Sequence, residues 1–170
     1  LHKVDSEHGT VEIGGTVYEM RTREFPTVDP ANPYELTPEE QAVMSGISES
    51  IRSSQRLKKH VKFLYEHGSA YLIHNNNVLF HGCVPMEEDG SLAQIEYKGK
   101  RYAGRAYLDL VDRIARRAWS TRDPDALDWM WYLWCGRYSP MSGRIVKTFE
   151  HAYLTDRSTW GEPQDAYYKL

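Results

Sequence analysis

The chain has 170 residues, with 21 Lys and Arg against 24 Asp and Glu, a formal net charge of −3. Hydrophobic residues make up 41% and charged residues 26%, which supports one packed region and excludes general disorder. The acidic balance argues against a nucleic-acid partner, and no apolar run approaches the roughly 20 residues of a membrane span. Two cysteines, Cys83 and Cys135, form no CxxC pair and no disulfide framework, so a reducing, cytoplasmic setting is expected.

In chain order, Val11–Ile13 and Thr16–Met20 are β-prone runs around Gly14–Gly15, which predicts a hairpin with a two-residue turn. Phe25 to Pro38 carries four prolines and reads as an extended connector. Thr37 is placed to cap a helix, with Pro38 in the first turn and Glu40 closing a capping box. Val43, Met44, Ile47 and Ile51 follow at helical spacing, and the serine-rich stretch 48–54 weakens the pattern. Leu57, Val61 and Leu64 mark a second helix that Gly68 stops.

Ala70–Ile73 and Val78–His81 read as strands joined through His74 and a turn of Asn75–Asn77, and the hairpin is expected inside a sheet with His81 at its carboxyl end facing an open cleft. Gln94–Tyr97 and Arg101–Tyr102 suggest another hairpin around Lys98–Gly99–Lys100. Ala106 to Trp119 is the clearest amphipathic helix, and Asp123–Pro124 breaks it. The run Trp129–Trp134 calls for burial, and Trp131 and Trp134 are expected to pack on the helix Arg105–Trp119. The tail from Ser139 reads as loop with one short apolar run, Ile145–Phe149. Strands and helices alternate without a βαβ rhythm, so the fold class is α+β over a single region, 1–170.

His81 ends an apolar strand and precedes Gly82, a position suited to a metal ligand or catalytic group because the strand is rigid and glycine admits close approach. A half-buried histidine held by a carbonyl accounts for it as well. Of the other histidines, His60 and His67 lie along a basic helix, His74 in a turn, and His2, His8 and His151 in no recognisable pattern. Cys83 would share a strand face with His81, yet a buried structural thiol is the commoner state. The basic stretch Arg56–Lys62 reads as a solvated helix face. Arg137, Arg144 and Lys147 flank the loop Ser139–Gly143, which carries no Walker pattern.

Three segments together are more telling: NPYELT at Asn32–Thr37, RLKKHVKFLYEHGSAYLIHNNNVLFHGCVP at Arg56–Pro85, and WYLWCGRYSP at Trp131–Pro140. In this order the chain resembles the central part of the class III, Firmicutes-type fructose-1,6-bisphosphatases. These are calcineurin-like metallophosphatases, and the likeness runs from the Asp5–Gly9 region to Tyr168. The resemblance implies part of a β-sandwich flanked by helices, here with mixed helices and short antiparallel hairpins. It implies that Phe80–Cys83 matches the family's strand-end HGG motif, which makes His81 a metal ligand. Cys83 stands where that motif has its second glycine.

By the same resemblance, Arg144 and beside it Lys147 fall near an arginine that holds substrate phosphate. The expected cofactor is a divalent metal pair, Mn²⁺ by the chemistry of carboxylate and imidazole ligands, completed by residues outside this chain. The expected reaction is hydrolysis of the 1-phosphate of fructose 1,6-bisphosphate to fructose 6-phosphate, a step of gluconeogenesis. The sequence contains neither Gly–Asp nor Gly–Asn, so the family's GDxHGE, GDxxDRG and GNH motifs are absent. An internal fragment, inactive alone, is therefore expected, and no catalytic residue is identified within it. A non-catalytic scaffold, a phosphatase of the same fold with another substrate, and a homo-oligomer stay open.

Overall fold

The computed structural model describes residues 3–29 and 31–170, with the side chain of Lys3 left out. His2, which fell in no pattern, and Pro30 of the connector lie outside the described residues. The elements are β1 (Lys3–Asp5), β2 (Thr10–Ile13), β3 (Thr16–Glu19), α1 (Pro38–Ser53), α2 (Gln55–His67), β4 (Tyr71–His74), β5 (Asn77–Phe80), β6 (Ile95–Tyr97), β7 (Lys100–Tyr102), α3 (Gly104–Thr121), α4 (Pro124–Cys135) and α5 (Thr148–Tyr153). Two 3₁₀ turns follow, Arg157–Trp160 and Ala166–Lys169. The class is mixed α+β, built on small antiparallel sheets of three, two and two strands.

Of the four hairpins among the described residues, three close through two residues with positive φ, the pairing whose twist matches that of the strands. Gly14 and Gly15 sit at φ 58° and 82°, Asn75 and Asn76 at 47° and 62°, and Lys98 and Gly99 at 50° and 74°. The asparagine turn is thus one residue shorter than its run of three Asn: Asn77 already pairs with His74 in the ladder.

The chain forms two compact units. The first comprises residues 1–62 and 147–161. Its small core is Val11, Met20 and Leu154, with Ile13, Tyr18, Phe25 and Phe149 packed around them. Backbone bonds link β3 to the end of α5: Arg21 N–H donates to the Tyr153 carbonyl at 2.8 Å and Thr155 N–H to that of Glu19 at 3.1 Å. The capping box forms as expected. Thr37 N–H donates to Glu40 Oε2 at 2.9 Å, and Glu40 N–H to Thr37 Oγ1 at 3.3 Å. The helix runs through the serines to Ser53, yet none of its residues is buried.

The second unit, residues 63–146 and 162–170, carries the larger core. Tyr107, Leu110, Val111, Ile114 and Ala118 of α3 meet Ile95, Tyr97, Ala126 and Leu133. Asp123–Pro124 ends α3 and also starts α4: Asp123 Oδ1 accepts from Ala126 N–H at 2.9 Å, and Pro124 occupies the first turn. Tyr97, Lys98 and Arg117 converge on Asp125, with Tyr97 Oη 2.6 Å and Arg117 Nη2 2.7 Å from Oδ2. These bonds, the Tyr97 hydroxyl first, hold the Asp125 carboxyl below its ordinary range.

Two expectations are overturned. Trp131 and Trp134 are each 71% exposed, not buried. The α4 register turns Ala126, Trp129, Met130 and Leu133 toward the core, and this leaves Leu127, Trp131 and Trp134, at i, i+4 and i+7, on the opposite side. The β4–β5 hairpin, expected inside a sheet, pairs with no other strand among the described residues. Leu72, Ile73, Val78 and Leu79 on it are all exposed.

Candidate functional site

His81 follows the last residue of β5, and its side chain is exposed with no hydrogen-bond partner among the described residues. The backbone beneath it is fixed. Gly82 lies against the loop that follows α4, where a Cβ would come within 2.5 Å of the Pro140 carbonyl oxygen and 2.8 Å of that of Met141. Only glycine fits such an approach. Cys83 N–H then donates to the Pro140 carbonyl at 3.1 Å.

The loop itself is organised by Ser139, which is fully buried. Its Oγ donates to the Leu133 carbonyl and accepts from the N–H groups of Met141 and Ser142, at 3.1 Å each. Asp165, also buried, accepts at Oδ1 from Met86 N–H at 3.1 Å and Tyr167 N–H at 2.9 Å, which holds the segment after Cys83 in place. Sequence reading missed both residues. Ser139 lies within the Trp131–Pro140 segment, but its hydroxyl ties together nearby backbone that the segment does not mark, and Asp165 reaches Met86, 79 residues away.

Cys83 is fully buried, and burial pushes its thiol up to about 12, with the Asp165 charge adding to the effect. Its Sγ lies 3.7 Å from the Ser139 carbonyl oxygen. An exposed His81 and a buried Cys83 face different surroundings, so the pair cannot act as base and nucleophile.

Arg144 shares the second unit with His81. Its guanidinium pairs with Glu162 at 3.0 Å, and its backbone bridges to Gln164. Lys147 belongs to the first unit, where its Nζ lies 2.7 Å from Oε1 of the buried Glu150. Each of these cations therefore already has a carboxylate partner.

Among the described residues no group of three His, Cys, Asp or Glu side chains stands close enough to hold a metal ion. His81 suits a ligand, with an accessible imidazole on an anchored backbone, but one donor is not a metal site. Two depressions mark the second unit. The larger, about 480 Å³, is walled by Trp129, Tyr132 and Tyr138, the smaller by Met86, Tyr138 and Asp165 among others, and neither involves His81.

Comparison with known proteins decides the family. The sequence profile described as Firmicute fructose-1,6-bisphosphatase matches residues 1–170. The chain belongs to this family. A protein of Clostridium tetani named fructose-1,6-bisphosphatase class 3 is 41% identical over 174 residues, covering 99% of the chain and 26% of the relative. Proteins of the same name from Finegoldia magna and Clostridium novyi are 43% and 41% identical, over 100% and 99% of the chain and 27% and 26% of their own lengths. The chain thus spans about a quarter of the length of the curated relatives it matches. No solved structure matches it. In this chain the Trp131–Pro140 segment leads into the loop that anchors Gly82. No helix is long and apolar enough to cross a membrane among the described residues.

Proposed function

We propose that this chain is part of a cytoplasmic, metal-dependent fructose-1,6-bisphosphatase that cleaves the 1-phosphate of fructose 1,6-bisphosphate to leave fructose 6-phosphate, a step of gluconeogenesis. Family membership over residues 1–170 is the observation that carries this reading. The chain's contribution is the imidazole of His81, offered at a strand end whose backbone is locked by the Gly82–Pro140 contact. A pair of divalent ions, Mn²⁺ being suited to such ligands, would supply a polarised water and offset phosphoryl charge when bound. The donors within these residues do not complete that site, so no step of the reaction is assigned to them.

The sandwich architecture belongs to the same proposal, and the β4–β5 hairpin supports it. Ile73 and Val78 pair on one face and Leu72 and Leu79 on the other. Apolar residues on both faces are typical of a strand pair covered by layers on each side.

The test is phosphate release from fructose 1,6-bisphosphate with Mn²⁺, with and without EDTA. It compares the 170-residue chain with a polypeptide that carries this sequence at the full length of its relatives. The longer polypeptide should turn over and the chain alone should not. His81→Ala in the longer polypeptide should lower bound metal, measured by atomic emission, along with turnover. Metal-dependent turnover by the chain alone overturns the incomplete site, and failure of the longer polypeptide on this sugar alone overturns the substrate.

A further inference from the structure

The first unit gathers cationic side chains around one indole, and nothing derived so far uses them. Trp160 closes the 3₁₀ turn Arg157–Trp160, where residues i and i+3 eclipse, so the Arg157 guanidinium lies 5.3 Å from the centre of the Trp160 ring. The backbone pairing of Met20 with Leu154 brings Arg21 to the same ring, with its guanidinium carbon 4.4 Å from the centre. From α5, the His151 ring stands 4.8 Å from it.

One buried carbonyl builds this arrangement. Leu154 O accepts from Arg21 Nε at 3.0 Å and from Trp160 Nε1 at 3.3 Å. Arg21 is thereby pinned through Nε, while both of its terminal nitrogens stay free of protein partners among the described residues.

The acids nearby are turned elsewhere. Asp156 Oδ1 caps the 3₁₀ turn by accepting from Ser158 N–H at 2.9 Å, and Glu150 is paired with Lys147. Arg21 and Arg157 make no ion pair with any described carboxylate. Like charges placed on a single ring repel one another, and the indole face offsets this only in part. A bound dianion would offset the rest, and the planar fork of each guanidinium matches phosphate oxygens two at a time.

We propose that Arg21, Arg157 and His151 around Trp160 form a binding site for a phosphate group, free or carried on a small ester. Arg21 and Arg157 supply the charge, His151 a ring nitrogen, and Trp160 the platform that fixes their spacing. The site belongs wholly to the first unit and rests on none of the residues assigned to hydrolysis.

The test follows the indole N–H resonance of Trp160 in ¹⁵N-labelled protein, assigned by its loss in Trp160→Phe. Inorganic phosphate should shift it saturably in the millimolar range, while sodium chloride of matched ionic strength should not. Arg157 is exposed and makes no side-chain hydrogen bond among the described residues, so Arg157→Gln should fold as the parent does and bind about tenfold more weakly. Should that variant lose its structure, Arg157→Lys keeps the charge without the fork and should weaken binding in the same sense. Tighter binding of a hexose monophosphate than of inorganic phosphate would identify an ester ligand, and equal binding would identify free phosphate. Absence of a saturable shift up to about 10 mM, or a shift indifferent to Arg157 substitution, overturns the site.

Discussion

The helices α1 and α3 make opposite bargains with the same 3.6-residue period. Helix α1 has the complete capping box of Thr37 and Glu40, proline in its first turn and no buried residue. Helix α3 has no side-chain cap at Ala103, yet it buries Tyr107, Leu110, Val111 and Ile114 in the core of the second unit. One is held by its ends and the other by its flank. An apolar stripe at helical spacing therefore specifies a helix, but it does not say whether the stripe finds a partner within the same chain.

The sharpest way to break this contrast is to make the same truncation in both helices. Ile114→Ala should cost about 2–5 kcal/mol in urea unfolding of the 170-residue chain, because it empties packed space. Ile47→Ala in α1, where the side chain is half exposed, should stay within about 0.5 kcal/mol. Comparable losses at the two positions would remove the distinction.

Thiol chemistry sharpens the contrast between interior and surface. Cys83 should resist a disulfide reagent at pH 8 until denaturant is added, since its folded thiol is held up near about 12 by burial. A thiol raised on folding contributes stability that is intact below its unfolded value. That contribution should decline as pH climbs from about 8.5 toward about 12. Rapid labelling of native protein at Cys83 would show an open core.

At the ends of the helices the effects are smaller. Thr37→Ala should lower the stability of α1 by about 1 kcal/mol, read as faster amide exchange confined to its first turns. Exchange unchanged by the substitution would mean that something other than the cap holds the helix.

The smallest effect is expected where sequence reasoning looked for a large one. Trp134→Ala should change the stability of this chain by no more than about 0.5 kcal/mol, with tryptophan emission already at long wavelength in the parent. A loss of several kcal/mol would put the α4 stripe back in contact with protein.

Those tryptophans illustrate what was and was not legible. The hairpins could be read because their turns are set by residues next to one another: Gly14–Gly15 and Asn75–Asn76 take φ values that few other pairs tolerate. The capping box could be read for the same reason. Asp123–Pro124 was taken as a breaker although it repeats the logic of Thr37–Pro38, a polar cap followed by proline, and α4 went unseen with it. Without that helix the register of Trp129 to Trp134 was undefined, and hydrophobicity alone pointed all of them inward.

The position of His81 was visible from an apolar strand ending at His–Gly. Its anchoring was not, because the close approach of Gly82 to Pro140 depends on a loop far along the chain. The Arg21–Trp160 cluster lies at the far limit of legibility. Its members come from a strand end, a short helix and a 3₁₀ turn that only the pairing of Met20 with Leu154 brings together.

That pairing has a consequence for how the protein is made. The core of the first unit joins Val11 and Met20 to Leu154, so the polypeptide leaves this unit, builds most of the second and then returns. At translation speeds of about 5–20 residues per second, the β2–β3 hairpin waits roughly 7–27 s on the ribosome for Leu154. Through that interval Val11 and Met20 lack the cover that Leu154 and Phe149 later supply. The order of synthesis thus makes the β1–β3 meander, small as it is, a segment for which a nascent-chain chaperone would have work to do.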